Sequence, residues 1–122
     1  MTSKFRVLGA GVWGLAFSDY LLKLGHNVEV FCRDTNLSNK DIVGLELSHI
    51  SHNNIKSLDT LNAHEPDGTI NIIAVNSKGF SELLNKHETY FRTLNELVAL
   101  TKGLDHLSGK YFSDYVFDML VI

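Results

Sequence analysis

The sequence predicts an α/β domain with a doubly wound parallel sheet whose strands follow the order 3-2-1-4-5. Short apolar runs rich in β-branched residues, which are typical of buried strands, recur along the chain, and segments with helical periodicity separate them. This alternation of strand and helix is the pattern of α/β folds with a parallel sheet. The 122 residues are 44% hydrophobic and 20% charged, which is typical of one globular domain with its own core.

The first predicted strand leads directly into three glycines with the spacing G-x-G-x-x-G. Gly9 would allow a tight turn, Gly11 would let the backbone approach a phosphate, and Gly14 would let the following helix pack closely on the strand. That helix is predicted from about Val12 to Leu24, and its free N–H groups would face the phosphates. Strand, turn and helix together match the fingerprint of Rossmann-type dinucleotide-binding domains, and a plain glycine turn is the alternative.

The predicted helix after the glycine turn has one apolar stripe. Ala16, Tyr20 and Leu24 form it, and Leu21 lies beside it. Gly25 is expected to end the helix as its C-cap.

The end of the second strand is the next place where cofactor contacts are expected. The strand is predicted from Val28 to Cys32, so Arg33 and Asp34 lie where this motif class meets the adenosine ribose. An acidic residue there accepts hydrogen bonds from the ribose hydroxyls of NAD, whereas an arginine can bind a 2′-phosphate and stack on adenine. Because Arg33 comes first, the sequence favours NADPH or the use of both cofactors, with an exposed strand-end charge as the alternative. Asp34 is better placed to cap the following helix.

The remaining elements continue the alternation. A loosely helical segment, a short strand and a single helical turn are predicted at 37–49, 55–58 and 59–64. A strand buried on both faces, an amphipathic helix and a fifth strand follow at 69–75, 77–87 and 97–100. Phe80, Leu83 and Leu84 of the helix are expected to turn inward. His49 and His52 have no carboxylate or cysteine near them at ligand spacing, which favours solvated histidines over a metal site.

Charge and cysteine usage exclude several classes of partner and compartment. The net charge of −3 provides no electrostatic footprint for nucleic acid or an anionic membrane. Cys32 is the only cysteine, so no intramolecular disulfide can form, which fits a reducing compartment. The apolar stretch after Lys4 and Arg6 is too short for a signal peptide or a membrane span. We therefore expect a cytoplasmic protein.

Two C-terminal segments, together with the glycine motif and Arg33 described above, make the sequence resemble a known family. The motif GAGVWG near the N-terminus, the arginine after the second strand, and ALTKGL ahead of SGKYFSDYV are similar to the cofactor domain of bacterial NAD(P)-dependent glycerol-3-phosphate dehydrogenases. The resemblance implies a Rossmann-type fold, NADPH or NADH as cofactor, and hydride transfer between that cofactor and dihydroxyacetone phosphate. The product would be glycerol 3-phosphate for phospholipid synthesis.

The resemblance also implies roles for individual residues. Val12 and Trp13, which follow the second glycine, would contact the cofactor together with the glycines, and Arg33 would recognise its adenosine side. Lys102, in the TKGL segment at the carboxyl edge of the fifth strand, would contact both the cofactor and the phosphorylated substrate as the catalytic residue of this chain; a solvated lysine in a turn is the alternative. The sequence departs from the family pattern at Val12, where serine is usual, and at Asn76, where proline is usual.

The resemblance covers the cofactor half of the family's enzymes. We expect residues 1–122 to form an NAD(P)-binding domain without the helical substrate domain, and to be nearly inert in catalysis alone. The alternatives are a dinucleotide-binding module without catalysis and a dehydrogenase of the 3-hydroxyacid or ketopantoate reductase type, against which the TKGL segment argues. Apolar residues near the C-terminus are expected to form an exposed patch that favours a homodimer: Tyr115, Phe117, Met119, Leu120 and Ile122.

Overall fold

A computed structural model of the protein describes residues 3–33, 47–61, 68–75, 77–94 and 97–99. These residues form a parallel sheet in the order β3-β2-β1-β4-β5, which confirms the predicted fold class and strand order. The strands are β1 (Lys4–Leu8), β2 (Asn27–Cys32), β3 (Ile55–Ser57), β4 (Thr69–Ile73) and β5 (Leu97–Ala99). The central strand β1 pairs along its whole length with β2 on one side and with β4 on the other.

Three α-helices lie within the described residues: α1 (Val12–Lys23), α2 (Ser77–Lys86) and α3 (Glu88–Arg92). Short 3-10 turns at His52–Asn54 and Leu58–Thr60 flank β3. Gly25, one residue beyond the C-cap of α1, has a φ of +91° and donates its N–H to the carbonyl of Leu22. The next N–H, of His26, donates to Leu21, so that two carbonyls of the last turn are satisfied and the chain is turned into β2.

The two faces of the sheet bury separate cores. On one face Val7, Val30 and Ile72 of the three central strands pack against Leu15 and Leu21 of α1, and we call this group the α1-side core. The α2-side core covers the opposite face with buried residues from these strands, from the 3-10 turn after β3 and from both later helices: Leu8, Phe31, Leu58, Ile73, Leu83, Leu84, Tyr90 and Phe91. Alternate residues of each strand point to opposite cores, which is why the last residues of the three central strands, where both faces are covered, are apolar.

The buried side of α1 differs from the predicted stripe. Leu21 is buried as expected, but Tyr20 and Leu24 are 55% and 54% exposed. Leu15 and Ser18 complete the buried side instead, and the Ser18 hydroxyl donates to the Gly14 carbonyl at 2.6 Å. The rotation of α1 is fixed by the close contact of its first turn with the glycine loop, and helical periodicity alone does not contain that information.

A polar network lies inside the α2-side half of the sheet. Arg6, only 7% exposed, donates its Nε to Glu29 at 3.2 Å, and its guanidinium stacks over the rings of Phe31 and Tyr90. The Tyr90 hydroxyl donates in turn to the side-chain oxygen of Asn71, which is fully buried. This network attaches the five-residue helix α3 to the middle of the sheet, since buried polar groups require partners.

Helix α3 was not predicted, because its five residues make little more than one turn, which is too short for a helical period to show in the sequence. Several predictions lie outside the described residues: the segment from 37 to 46, Asp34, Asn76, Lys102 and the C-terminal apolar patch. No helix in the described part of the chain is long and apolar enough to cross a membrane.

Candidate functional site

A cavity of about 250 Å³ opens at the carboxyl ends of β1, β2 and β4. The glycine turn after β1 lines one side, and Cys32 and Arg33 at the end of β2 line the next. Ala74 and Val75 after β4, Leu58 of the 3-10 turn after β3, and one side of α2 with the following His87 form the rest of the wall. This is the crevice in which ligands bind in open α/β sheets, at the point where the strand order reverses.

Two of the three motif glycines are required by close packing. Gly9 has a φ of +122°, and a Cβ built there would lie 2.6 Å from the carbonyl oxygen of Ala74. Its N–H donates to the Phe31 carbonyl at 2.8 Å, so the turn is held against both neighbouring strands. A Cβ at Gly14 would meet the carbonyl oxygen of Gly9. A side chain at either position would push the turn, and with it the start of α1, away from the sheet.

Gly11 differs from the other two because none of the described residues requires a glycine there. Its backbone is extended, with φ −75° and ψ −175°, and a Cβ at this position would meet no atom of the described residues within 4 Å. Gly11 lines the cavity and is the N-cap of α1, whose first intrahelical bond joins the N–H of Leu15 to the Gly11 carbonyl. The N–H groups of the first turn have no acceptor inside the helix, and no acidic side chain lies in that turn. An anion at the cavity would therefore meet exposed backbone and the positive end of α1.

Val12 and Trp13 occupy the first two positions of α1. The Trp13 side chain is 80% exposed and lies outside the lining of the cavity. Their predicted contacts with a cofactor stay predictions, as does the role of Lys102, which lies outside the described residues.

Arg33 lies at the mouth of the cavity, directly after β2, as the sequence predicts. Its side chain is 73% exposed, and Nη1 lies 3.5 Å from Oε1 of Glu82 on α2. The guanidinium therefore lies beside a charge on the opposite wall of the cavity, and its exposed side chain remains accessible to a ligand.

Three polar residues that the sequence did not predict for the site line the cavity: Glu82 and Lys86 on α2, and His87 directly after it. Lys86 Nζ lies 3.9 Å from Oδ1 of Asp59, which is contributed by the 3-10 turn after β3. Burial lowers the pKa of His87 below its ordinary value, the neighbouring Lys86 lowers it further, and Asp59 opposes them. The lowered pKa favours the neutral form of His87. Glu82 and Lys86 are four residues apart, so the sequence indicates that they share one side of the helix. It does not indicate that this side faces the carboxyl ends of the strands.

His49 and His52, the two histidines considered for a metal site, lie in separate surroundings that form no such site among the described residues. His49 Nδ1 lies 3.7 Å from a carboxylate oxygen of Asp19, and the other Asp19 oxygen accepts the backbone N–H groups of His49 and Ile50 at 2.7 and 2.8 Å. His52 begins the 3-10 turn before β3 and is exposed. Within the described residues, no three side chains of histidine, cysteine, aspartate or glutamate converge as metal ligands would.

The sheet order, the glycine turn at its centre and the cavity at the carboxyl ends define a dinucleotide-binding domain of the Rossmann type. Comparison with known proteins gives the particular family. Residues 4–121 match the family model of the NAD-dependent glycerol-3-phosphate dehydrogenase N-terminus, and the chain belongs to this family. The resemblance inferred from GAGVWG and TKGL is thereby confirmed.

Two curated relatives are glycerol-3-phosphate dehydrogenases (NAD(P)+). The one from Carboxydothermus hydrogenoformans is 33% identical over 108 residues, which are 84% of this chain and 32% of the relative. The one from Thioalkalivibrio sulfidiphilus is 27% identical over 119 residues, which are 90% of this chain and 34% of the relative. The chain thus spans about a third of the length of these relatives.

Proposed function

We propose that this chain binds NADH or NADPH in the cavity at the carboxyl ends of β1, β2 and β4, as the cofactor half of a glycerol-3-phosphate dehydrogenase. The observation that carries the proposal is the open space at Gly11. The packing of the protein requires Gly9 and Gly14, but nothing in the described residues requires a glycine at position 11. A bound pyrophosphate, which needs close approach to the backbone, supplies that requirement.

The proposed roles follow from position. Gly9 and Gly14 hold the turn against the sheet, and the N–H groups after Gly11 donate to the pyrophosphate at the positive end of α1. Arg33 contacts the adenosine side at the mouth of the cavity. Lys102 is proposed to contact the phosphate of the substrate, by a charge-assisted hydrogen bond.

The proposed reaction of the whole enzyme is reversible reduction of dihydroxyacetone phosphate to glycerol 3-phosphate. The nicotinamide supplies or accepts the hydride when the cofactor is bound. This chain's part is to bind and orient that cofactor beside β1 and β4. The reaction also needs residues that hold the substrate carbon within reach and a group that moves the hydroxyl proton. We assign both to the helical half of the family's enzymes, so the chain alone should bind cofactor with little or no turnover.

Titration with NADH and with NADPH, followed by the fluorescence of Trp13, tests the proposal. Trp13 is the only tryptophan and lies in the first turn of α1, so its emission reports on that turn. We expect saturable binding that Arg33→Ala weakens. Arg92→Ala is the matched control, because that arginine lies on α3, pairs with Glu88 and is not part of the cavity wall. Absence of binding for both cofactors, checked by calorimetry, would refute the proposal.

Self-association and location are further proposals from the sequence. The apolar C-terminal residues predict a homodimer, which light scattering at rising protein concentration tests, and a monomer throughout would contradict it. A cytoplasmic location agrees with the single cysteine, and cell fractionation tests it.

A further inference from the structure

We infer that Glu82 sets the cofactor preference of this site by opposing a 2′-phosphate at Arg33, so that the site favours NADH over NADPH. The inference rests on the proposed function and names the residue that selects between the two cofactors. The sequence alone, through Arg33, favours NADPH or the use of both.

The geometry places opposite charges on the two sides of the cavity mouth. Arg33 comes from the end of β2 and Glu82 from α2, both line the cavity, and Nη1 and Oε1 are 3.5 Å apart. A ligand group held by the Arg33 guanidinium is therefore within reach of the Glu82 carboxylate. Both side chains are mainly exposed, so either can move to meet a ligand.

The two forms of the adenosine ribose differ at the position where these charges lie. A 2′-phosphate carries nearly two negative charges at neutral pH, and a carboxylate beside it repels it. A 2′-hydroxyl is neutral and can donate a hydrogen bond to the carboxylate, which is how acidic residues recognise NAD in this fold class. In this protein the acidic group is Glu82 of α2, whereas the sequence motif expects an acidic residue at the end of β2.

Lys86, the second cation of the cavity wall, does not reverse the preference for NADH. Lys86 lies one turn after Glu82 on α2, and its Nζ is 3.9 Å from the carboxylate of Asp59. The four side chains Arg33, Glu82, Lys86 and Asp59 carry two positive and two negative charges, so their sum is zero. A site that binds a 2′-phosphate tightly needs an excess of positive charge.

The test compares the affinities of the full chain for NADH and NADPH in the wild type, in Glu82→Gln and in the control Glu88→Gln. Glutamine keeps the size of the side chain and an acceptor oxygen but removes the charge. We expect Glu82→Gln to tighten NADPH binding roughly tenfold, the size of the Coulomb effect of a carboxylate about 6 Å from a phosphate in a medium close to water. NADH binding should change less than about twofold, and the gain for NADPH should shrink as salt is added.

Glu88 makes the control informative, because it is a carboxylate on α3 that pairs with Arg92 and does not line the cavity. Glu88→Gln changes the net charge equally and should leave the ratio of the two affinities unchanged. In the double variant Arg33→Gln/Glu82→Gln the gain for NADPH should fall well below the gain in Glu82→Gln, since the guanidinium that holds the phosphate is gone. Circular dichroism of each variant verifies that it is folded.

The outcomes separate this inference from the proposed function. Wild-type preference for NADH that shifts toward NADPH only in Glu82→Gln supports both. Saturable binding with a ratio that Glu82→Gln leaves unchanged, or a wild-type preference for NADPH, overturns the inference and leaves the proposed function intact. No binding of either cofactor overturns the proposed function and the inference with it. Titration with ADP-ribose and its 2′-phosphate should give the same ratio, because these two ligands retain the difference at the 2′ position and lack only the nicotinamide.

Discussion

Two alanine substitutions in the glycine turn should have different effects: Gly9→Ala should lower the stability of the fold, whereas Gly11→Ala should weaken cofactor binding. In Gly9→Ala the new Cβ would lie 2.6 Å from the Ala74 oxygen and 2.8 Å from its carbonyl carbon, both backbone atoms that cannot move separately. The φ of +122° adds strain of about 1–3 kcal/mol, and overpacking adds about 1–3 kcal/mol. The free energy of unfolding should therefore fall by at least about 2 kcal/mol. For a domain of this size that corresponds to a drop in Tm of roughly 8 °C or more.

Gly11→Ala should change stability much less than Gly9→Ala. Its φ of −75° and ψ of −175° suit alanine, and its Cβ would stand in open space. Alanine is a poorer N-cap than glycine, whereas the reduced freedom of the unfolded chain acts in the opposite direction, so the free energy of unfolding should stay within about 1 kcal/mol of the wild type. The methyl group would, however, separate a pyrophosphate from the backbone, so NADH affinity should fall by at least tenfold.

Thermal unfolding followed by circular dichroism and cofactor titration followed by Trp13 fluorescence measure both effects on the same samples. Wild-type Tm in Gly9→Ala would show that the contact with Ala74 does not hold the turn. Wild-type affinity in Gly11→Ala would place the pyrophosphate elsewhere and remove the main support for the proposed site. The pair is its own control, because each variant adds one methyl group to the same turn.

Three further substitutions test contacts outside the cavity. Tyr90→Phe removes a buried hydroxyl that donates to Asn71, and should lower the free energy of unfolding in urea by about 1–2 kcal/mol; an unchanged midpoint would contradict this. Asp19→Ala removes the acceptor of two backbone N–H groups and should speed hydrogen exchange at residues 49 and 50, with wild-type protection counting against it. Burial raises the pKa of Glu29, but hydrogen bonds and charges from Lys4 and Arg6 together outweigh it and lower that pKa below its ordinary value. The lowered pKa of Glu29 stabilises the fold at pH values above the pKa that this carboxyl has in the unfolded chain, and the stabilisation is lost as the pH falls through its pKa in the folded protein. The Glu29→Gln variant should therefore be less stable than the wild type at pH 7, and its free energy of unfolding should depend less on pH in the acid range.

The parts of the fold that local sequence determines were predictable. The tight turn formed by Gly9, Gly11 and Gly14 was predictable from their spacing between a strand and a helix. The apolar run at 69–75 indicated a strand buried on both faces. The strand ends earlier, at Ile73, because the next two residues turn into the cavity wall, although the N–H of Ala74 still donates to Leu8. Periodicity cannot distinguish an apolar residue of a strand from an apolar residue of a cavity wall.

The features that depend on contacts between distant elements were not predictable. Helix α3 exists because Tyr90 reaches Asn71 and Arg6 across the sheet, and none of these residues indicates the others in the sequence. Glu82 became part of the candidate site only through the rotation of α2 about its axis. The same reason explains the exposed Tyr20 on α1: a helix shows its period in the sequence, but the loops that position it decide which side is buried.

The central position of β1 has a consequence for synthesis of the protein on the ribosome. β1 is made first, yet its pairing with β4 is complete only when Ile73 has been added opposite Leu8, sixty-five residues later. At about 5–20 residues per second, the β4-facing edge of the strand has no partner for roughly 3–13 seconds. During that interval β1 has only β2 to pair with among its two neighbours, and such a two-stranded unit is marginally stable and its unpaired edge is open to other chains. Codon choice between residues 9 and 73, which sets the length of the interval, should therefore affect the yield of native protein.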